Sequence, residues 1–281
     1  MKIGTLVRIS EANQAKGVFD ALREMEIPSC QLVYKPAQFI REDAYAIKEA
    51  AQDSGVEISA FFCGNIDGME VYDLEYGFVM NGLTSSAFRA RRLEYLMSGA
   101  EFTKWMGITD MIIHAGFIPP NPFDAEYSGL VASVQKLASK CKEYGVYVLF
   151  ETGAESPISL LRLIEDVKQE NLGINLDTGN SLMYGYSNPV DALYTFGKYV
   201  RNLHAKDGVP PTVARKLGAE TAIGEGEVDF PAVIKRLKEI GYDRYITIER
   251  EISGEQQKKD ILKAKKYLEK LWSETSKNDG L

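Results

Sequence analysis

Residues 146–179 read "VYVLFETGAESPISLLRLIEDVKQENLGINLDTG". An apolar run at 146–150 ends in Glu-Thr-Gly, and a second at 172–176 ends in Asp-Thr-Gly. Between them, 157–170 carries apolar residues at helical spacing among charged ones. Strands that are apolar throughout are buried on both faces, and a helix long enough to cross over makes the pair parallel. The stretch is therefore read as one strand–helix–strand unit of a parallel sheet.

The same alternation runs outward in both directions. Strands are expected at 2–9, 29–34, 56–64 and 110–116, then at 146–153, 172–179, 200–207 and 244–251. Helices are expected at 12–26, 41–53, 85–106 and 124–144, then at 157–170, 189–198, 230–240 and 255–274. Gly or Pro marks the helix ends at 26–28, 53–56, 143–146 and 240–242. Eight such units in 281 residues fit an α/β fold of the (β/α)8 TIM-barrel type, one domain spanning 1–281. The polar tail from about 273 to 281 is expected to fray.

Composition narrows the function classes. Hydrophobic residues make up 45% and charged ones 26%, and the net charge is −7. An acidic chain lacks the basic footprint of a nucleic-acid binder. Cys30, Cys63 and Cys141 have neither metal nor redox spacing, which suits reduced thiols and a cytoplasmic setting. The N-terminus reads as a strand, not a signal peptide, and no segment approaches the ~20 apolar residues of a membrane span. The expected partner is a small molecule, with a homo-oligomer possible and neither nucleic acid nor membrane involved.

Four strands break the apolar rule near their C-terminal ends: Glu151, Asp177, His204 and Glu249. In a barrel those ends share one rim, where active sites are built. A lone buried carboxylate is costly unless paired or metal-bound. Three carboxylates and an imidazole without thiolate suit one divalent ion: Mn, Mg, Co or Zn. His114 ends the fourth strand, where it either contacts substrate or is a satisfied structural histidine. Lys206 shares the inward face of His204, and two roles are open to it. It could hold a substrate hydroxyl, carboxylate or phosphate, or pair with Glu249 or Glu251. Asp207 is read as capping the turn, and "GEGE" (224–227) as a turn without the features of a phosphate loop. Phe62, Phe117 and Tyr184 are candidates to wall a sugar pocket, while Trp105 is assigned to helix packing. The long intervals after the third and seventh strands place candidate lids at 65–84 and 208–228. Arg215 and Lys216 in the second are read as a solvated basic pair.

The stretches "FETG" (150–153), "NLDTGN" (175–180), "HAKDG" (204–208), "GEGEVDF" (224–230) and "ITIERE" (246–251) resemble the sugar phosphate isomerase/epimerase family. These are xylose-isomerase-like barrels that include ketose 3-epimerases and inosose-processing enzymes. The resemblance implies that Glu151, Asp177, His204 and Glu249 are the metal ligands and that the two glutamates form the acid/base pair. It further implies a small carbohydrate substrate; His114, Asn180 and Lys206 are the candidate residues to bind it. It departs from ketose 3-epimerases at two points. Asn180 stands where they have a histidine, and the first arginine after His204 is Arg215, eleven residues on. The implied activity is isomerisation or epimerisation through a metal-stabilised enediolate, with inosose-type dehydration as the alternative. A metal-dependent abasic-site endonuclease needs more than the two histidines present. A non-catalytic sugar-binding barrel would not need all four ligand positions intact.

Overall fold

The computed structural model describes residues 1–64 and 70–278. The strands in chain order are β1 (Lys2–Ile9), β2 (Ser29–Tyr34), β3 (Glu57–Phe62), β4 (Asp110–Ile113), β5 (Tyr147–Glu151), β6 (Leu172–Asp177) and β7 (Val200–Ala205). Two short strands, β8 (Asp207–Gly208) and β9 (Glu220–Thr221), follow, and β10 (Tyr245–Ile248) is the last. β1 to β7 and β10 form a closed barrel in the order β1-β10-β7-β6-β5-β4-β3-β2. Every barrel pair is parallel. β8 and β9 pair antiparallel outside the barrel.

The helices are α1 (Ala15–Glu24), α2 (Arg41–Ser54), α3 (Gly77–Met80), α4 (Ser86–Met106), α5 (Ala125–Glu143), α6 (Pro157–Val167), α7 (Thr178–Met183), α8 (Pro189–Phe196), α9 (Phe230–Glu239) and α10 (Glu255–Asn278). Their ends follow local chemistry. Asp124 accepts from Glu126 N at 2.9 Å and Asp229 from Ala232 N at 3.0 Å, each meeting a backbone donor that the first turn leaves free. Gly55 ends α2 at φ 71°, a conformation a side chain disfavours. The segment from 273 continues as helix to Asn278, with Thr275 Oγ1 bonded back to Leu271 O at 2.8 Å. Residues 279–281 of the expected fraying tail lie outside the described residues.

The two-residue pleat of the strands decides what faces where. Val148, Phe150, Ile174, Leu176, Leu203, Ala205, Ile246 and Ile248 point outward into the main core beneath the helices. The alternate residues point into the barrel. On one side of the lumen they are apolar, with Val33, Ala60, Phe62, Ile112 and Leu149 in one cluster. On the other side they are polar: Gln31, Asn175, Asn202 and Thr247, all fully buried. The expectation of strands apolar on both faces thus fails inside the barrel, where these polar groups form a layer below the rim.

Candidate metal centre and active-site pocket

Glu151 ends β5, Asp177 ends β6, and His204 sits one residue before the end of β7. Glu249 lies just past β10, shorter than the expected 244–251, and its N–H still bonds Ala205 O at 3.0 Å. All four occupy inward positions of the pleat, two residues beyond Leu149, Asn175, Asn202 and Thr247. One ligand-type atom from each lies within 4.8 Å of every other, and all four residues are buried. His204 Nδ1 is 2.8 Å from Glu151 Oε1, 3.0 Å from Glu249 Oε2 and 3.8 Å from Asp177 Oδ2. Asp177 Oδ1 caps α7 by accepting from Asn180 N at 2.7 Å. Among the described residues its Oδ2, buried, has no hydrogen-bond partner.

The electrostatics are those of a site short of positive charge. Burial pushes the Asp177 carboxyl up to about 8 despite Lys206 and His204, and Glu151 and Glu249 add to the rise. Burial opposes charge on His204, yet Glu151 and Glu249 outweigh it and hold the imidazole well above its ordinary range. Glu249 is held well below the usual carboxylate range, because Lys206 and His204 overcome its burial. Three carboxylates and an imidazole nitrogen around an orphaned buried oxygen fit a divalent ion, which would take the place of the protons.

A cavity of about 200 Å³ opens above the cluster. It is smaller than the ~300–1,000 Å³ typical of sites for drug-sized ligands. Glu151, Lys206 and Glu249 reach it, and so do His114 and Asn180. Lys206 is 3.1 Å from Glu251 and 3.7 Å from Glu249. Lys206 is therefore ion-paired, and it also faces the pocket. The His114 ring lies 5.3 Å from Phe62 and 5.4 Å from Tyr72. Burial lowers its pKa against the pull of Glu70 and Glu151, which favours the neutral imidazole.

These features match a known group of proteins. The family model described as "Xylose isomerase-like TIM barrel" matches residues 19–271. The chain belongs to that family. It is similar to a solved xylose isomerase domain protein from Planctomyces limnophilus, with 32% identity and a TM-score of 0.89 over 98% of this chain and 99% of that one. It is similar in fold to a solved D-tagatose 3-epimerase-like protein, at 21% identity and a TM-score of 0.76 over the whole of both chains. Inosose dehydratase of Lacticaseibacillus casei is 25% identical over 171 residues, 53% of this chain and 56% of that enzyme. The match thus spans about half the length of that curated relative. Among the described residues, no helix is long and apolar enough to cross a membrane.

Within this xylose isomerase-like barrel, both long loops reach the mouth of the cavity above the cluster. Tyr72 from 65–84 and Leu217 from 208–228 line the cavity. Leu74 and Leu217 pack on the cluster of Phe117, Ala154 and Tyr184, and Arg215 is 3.5 Å from Glu75 across the two loops. Residues 65–69 of the first expected lid lie outside the described residues. Arg215 is thus ion-paired, while Lys216 is exposed. The "GEGE" turn is tied down by Asp207, which accepts from Gly208 N, Gly224 N, Gly226 N and Val228 N at 2.8–3.1 Å. A Cβ at Gly226 would lie 2.3 Å from Asp207 Oδ1, so only glycine fits there. Trp105 stacks with Arg41 at 5.1 Å, away from the pocket.

The sequence reading missed several groups. Arg8 and Lys35 line the cavity, and Lys35 is 3.0 Å from Glu70. Glu155, buried, has its carboxyl pushed up to about 8 by desolvation. Gln31 and Asn175 support the cluster from below. The signal for Asn175 was its position two residues before Asp177, on the same inward face.

Proposed function

We propose that this protein is a divalent-metal-dependent isomerase or epimerase acting on a polyhydroxylated ketone of the sugar or cyclitol type. The observation that carries the reading is the convergence of Glu151, Asp177, His204 and Glu249 within 4.8 Å around a partnerless Asp177 Oδ2. These four residues would hold the ion, Mn or another metal that favours oxygen and nitrogen ligands. When bound, such an ion supplies Lewis-acid stabilisation of the charge that develops on a carbonyl and its neighbouring hydroxyl when the α-proton leaves.

The remaining work falls to the side chains. Lys206 and His204 keep Glu249 ionised and so able to accept a proton. Glu151, on a different strand, would take up a proton from solvent and return it to carbon, while Glu249 releases its own to solvent. Return to the opposite face of the same carbon epimerises; return to the neighbouring carbon, with a proton passing from the hydroxyl oxygen to the former carbonyl oxygen, isomerises. His114, Asn180 and Lys206 present polar groups that orient substrate oxygens. The loops carrying Tyr72 and Leu217 narrow the mouth and exclude water.

Dehydration is a second reading, supported by the likeness to inosose dehydratase. It requires an acid beside a β-hydroxyl; Lys206 faces the pocket as a cation that could bind that hydroxyl, but, against its burial, Glu249, Asp177 and Glu251 raise its pKa and disfavour it as the proton donor. The experiment is incubation of the Mn-loaded protein with ketoses, inososes and their phosphates in D2O, followed by NMR and mass spectrometry. Deuterium entering one carbon without loss of water supports isomerisation or epimerisation. Loss of water supports dehydration. Neither exchange nor loss across the panel would contradict both.

A further inference from the structure

Beneath the cluster, four side chains from four strands form one hydrogen-bonded chain. Asn175 Nδ2 donates to Glu151 Oε2. Gln31 Nε2 donates to Asn175 Oδ1 at 3.0 Å. Gln31 Oε1 lies 2.5 Å from His204 Nε2. Gln31, Asn175 and His204 are all fully buried, so water does not compete for these groups.

The direction of this chain is fixed at one end. A ligating glutamate is ionised and offers only acceptors. Asn175 must therefore turn its NH2 to Glu151, which turns its oxygen to Gln31. Gln31 must answer with its own NH2, which turns its oxygen to His204. An amide oxygen accepts only, so the proton of a neutral His204 sits on Nε2. The lone pair is then on Nδ1, the nitrogen that faces Glu151, Glu249 and Asp177. Two amides thus carry the charge state of one ligand to the tautomer of another. The opposite tautomer would set a lone pair against Gln31 Oε1 and an N–H against the ion.

We propose that Gln31 and Asn175 are positioning residues that lock His204 in its Nε2–H tautomer and Glu151 in its ligating rotamer. This rests on the metal reading of the cluster, and the two can fail separately. The chain has only two histidines, so protein labelled with 15N-histidine gives two imidazole spin systems, and His114→Gln assigns them. In the zinc-loaded wild type, long-range 1H–15N spectra should show the His204 proton on Nε2. Titration with zinc and with manganese should show affinity falling ~10–100-fold in Gln31→Leu and in Asn175→Asp. Asn202→Leu is the control: Asn202 is buried in the same polar layer, and among the described residues its amide bonds only Ser59 O, at 3.5 Å. That variant should keep its metal affinity and its His204 tautomer. A proton on Nδ1 in the zinc-loaded wild type would overturn the proposal without any variant. So would undiminished affinity in Gln31→Leu and Asn175→Asp, or an equal loss in Asn202→Leu. A wild type that binds neither zinc nor manganese would instead overturn the metal reading, and this proposal with it.

Discussion

The barrel buries an aspartate at each end, and the two are treated differently. At the N-terminal end, Asp110 begins β4 and is almost fully buried. Arg201 Nε meets its Oδ1 at 2.8 Å and Arg244 Nη2 meets its Oδ2 at 2.7 Å. Each oxygen has a guanidinium from this chain, so the carboxylate is complete. At the C-terminal end, Asp177 is as deeply buried, yet among the described residues its Oδ2 has no hydrogen-bond partner, and two glutamates stand beside it. Where the chain supplies the counter-charge, the result is an ion pair that holds two strands to a third. Where the carboxylates outnumber the cations beside them, the result is a cluster compatible with a divalent cation from outside.

The largest effect expected from this contrast is on catalysis. Glu151→Gln and Glu249→Gln keep a ligand oxygen but cannot accept a proton. With metal shown to be bound, turnover should fall by the ~10²–10⁴-fold typical of lost general acid–base catalysis. Recovery of near-native turnover on adding excess Mn would assign the proton transfers elsewhere, with His114 and Lys206 next in line.

The next effect belongs to the closed end. Asp110→Ala leaves two guanidinium groups facing each other without a counter-charge. Its cost should fall near the lower end of the ~3–5 kcal/mol of a broken buried pair, because both arginines reach water. Denaturant unfolding reads this directly. Asp177→Asn should behave oppositely in metal-free protein, with stability equal to or above wild type, since it removes a buried carboxyl crowded by others. In wild type, metal at a hundredfold excess over Kd should add ~2.7 kcal/mol, and in Asp177→Asn that gain should vanish. A large metal-free loss in Asp177→Asn would erase the difference between the two ends.

How much of this could be read from the chain alone follows from the range of the interactions. The strand ends were legible because the pleat repeats every two residues. Glu151, Asp177, His204 and Glu249 interrupt apolar runs at inward positions, and that signal is local. Lys206 and its pairing with Glu251 were legible for the same reason. Gln31 was not, because its partners Asn175 and His204 lie 144 and 173 residues away, and only barrel closure brings them together. α7 was missed because six residues following a strand carry too little periodicity, and its N-cap is Asp177 itself. The role of Asp110 was invisible too: it reads as a strand-initiating polar residue until Arg201 and Arg244 arrive from β7 and the turn before β10.

The smallest effect is a pH dependence confined to the open end. Burial lifts Asp177 from 3.8 to about 8 and Glu155 from 4.5 to about 8. Between about 4 and 8 the folded metal-free protein therefore holds more protons than the unfolded chain. Stability from these groups is complete below their unfolded values and is lost as pH rises through the folded ones. Metal-free protein should thus lose stability across that window. Apparent metal affinity should rise over the same range, because Asp177 and His204 must release protons to bind. Calorimetry in buffers of different ionisation enthalpy would count the released protons. A metal affinity flat from pH 5 to 8 would show that the open end does not store them.

The most direct test of the divalent-metal site is anomalous diffraction from crystals grown or soaked with Mn. One peak is expected at the C-terminal mouth, within ~2.0–2.6 Å of oxygens from Glu151, Asp177 and Glu249 and of His204 Nδ1. Crystals with full Mn access and no peak among those four side chains, or with His204 coordinating through Nε2, would contradict it.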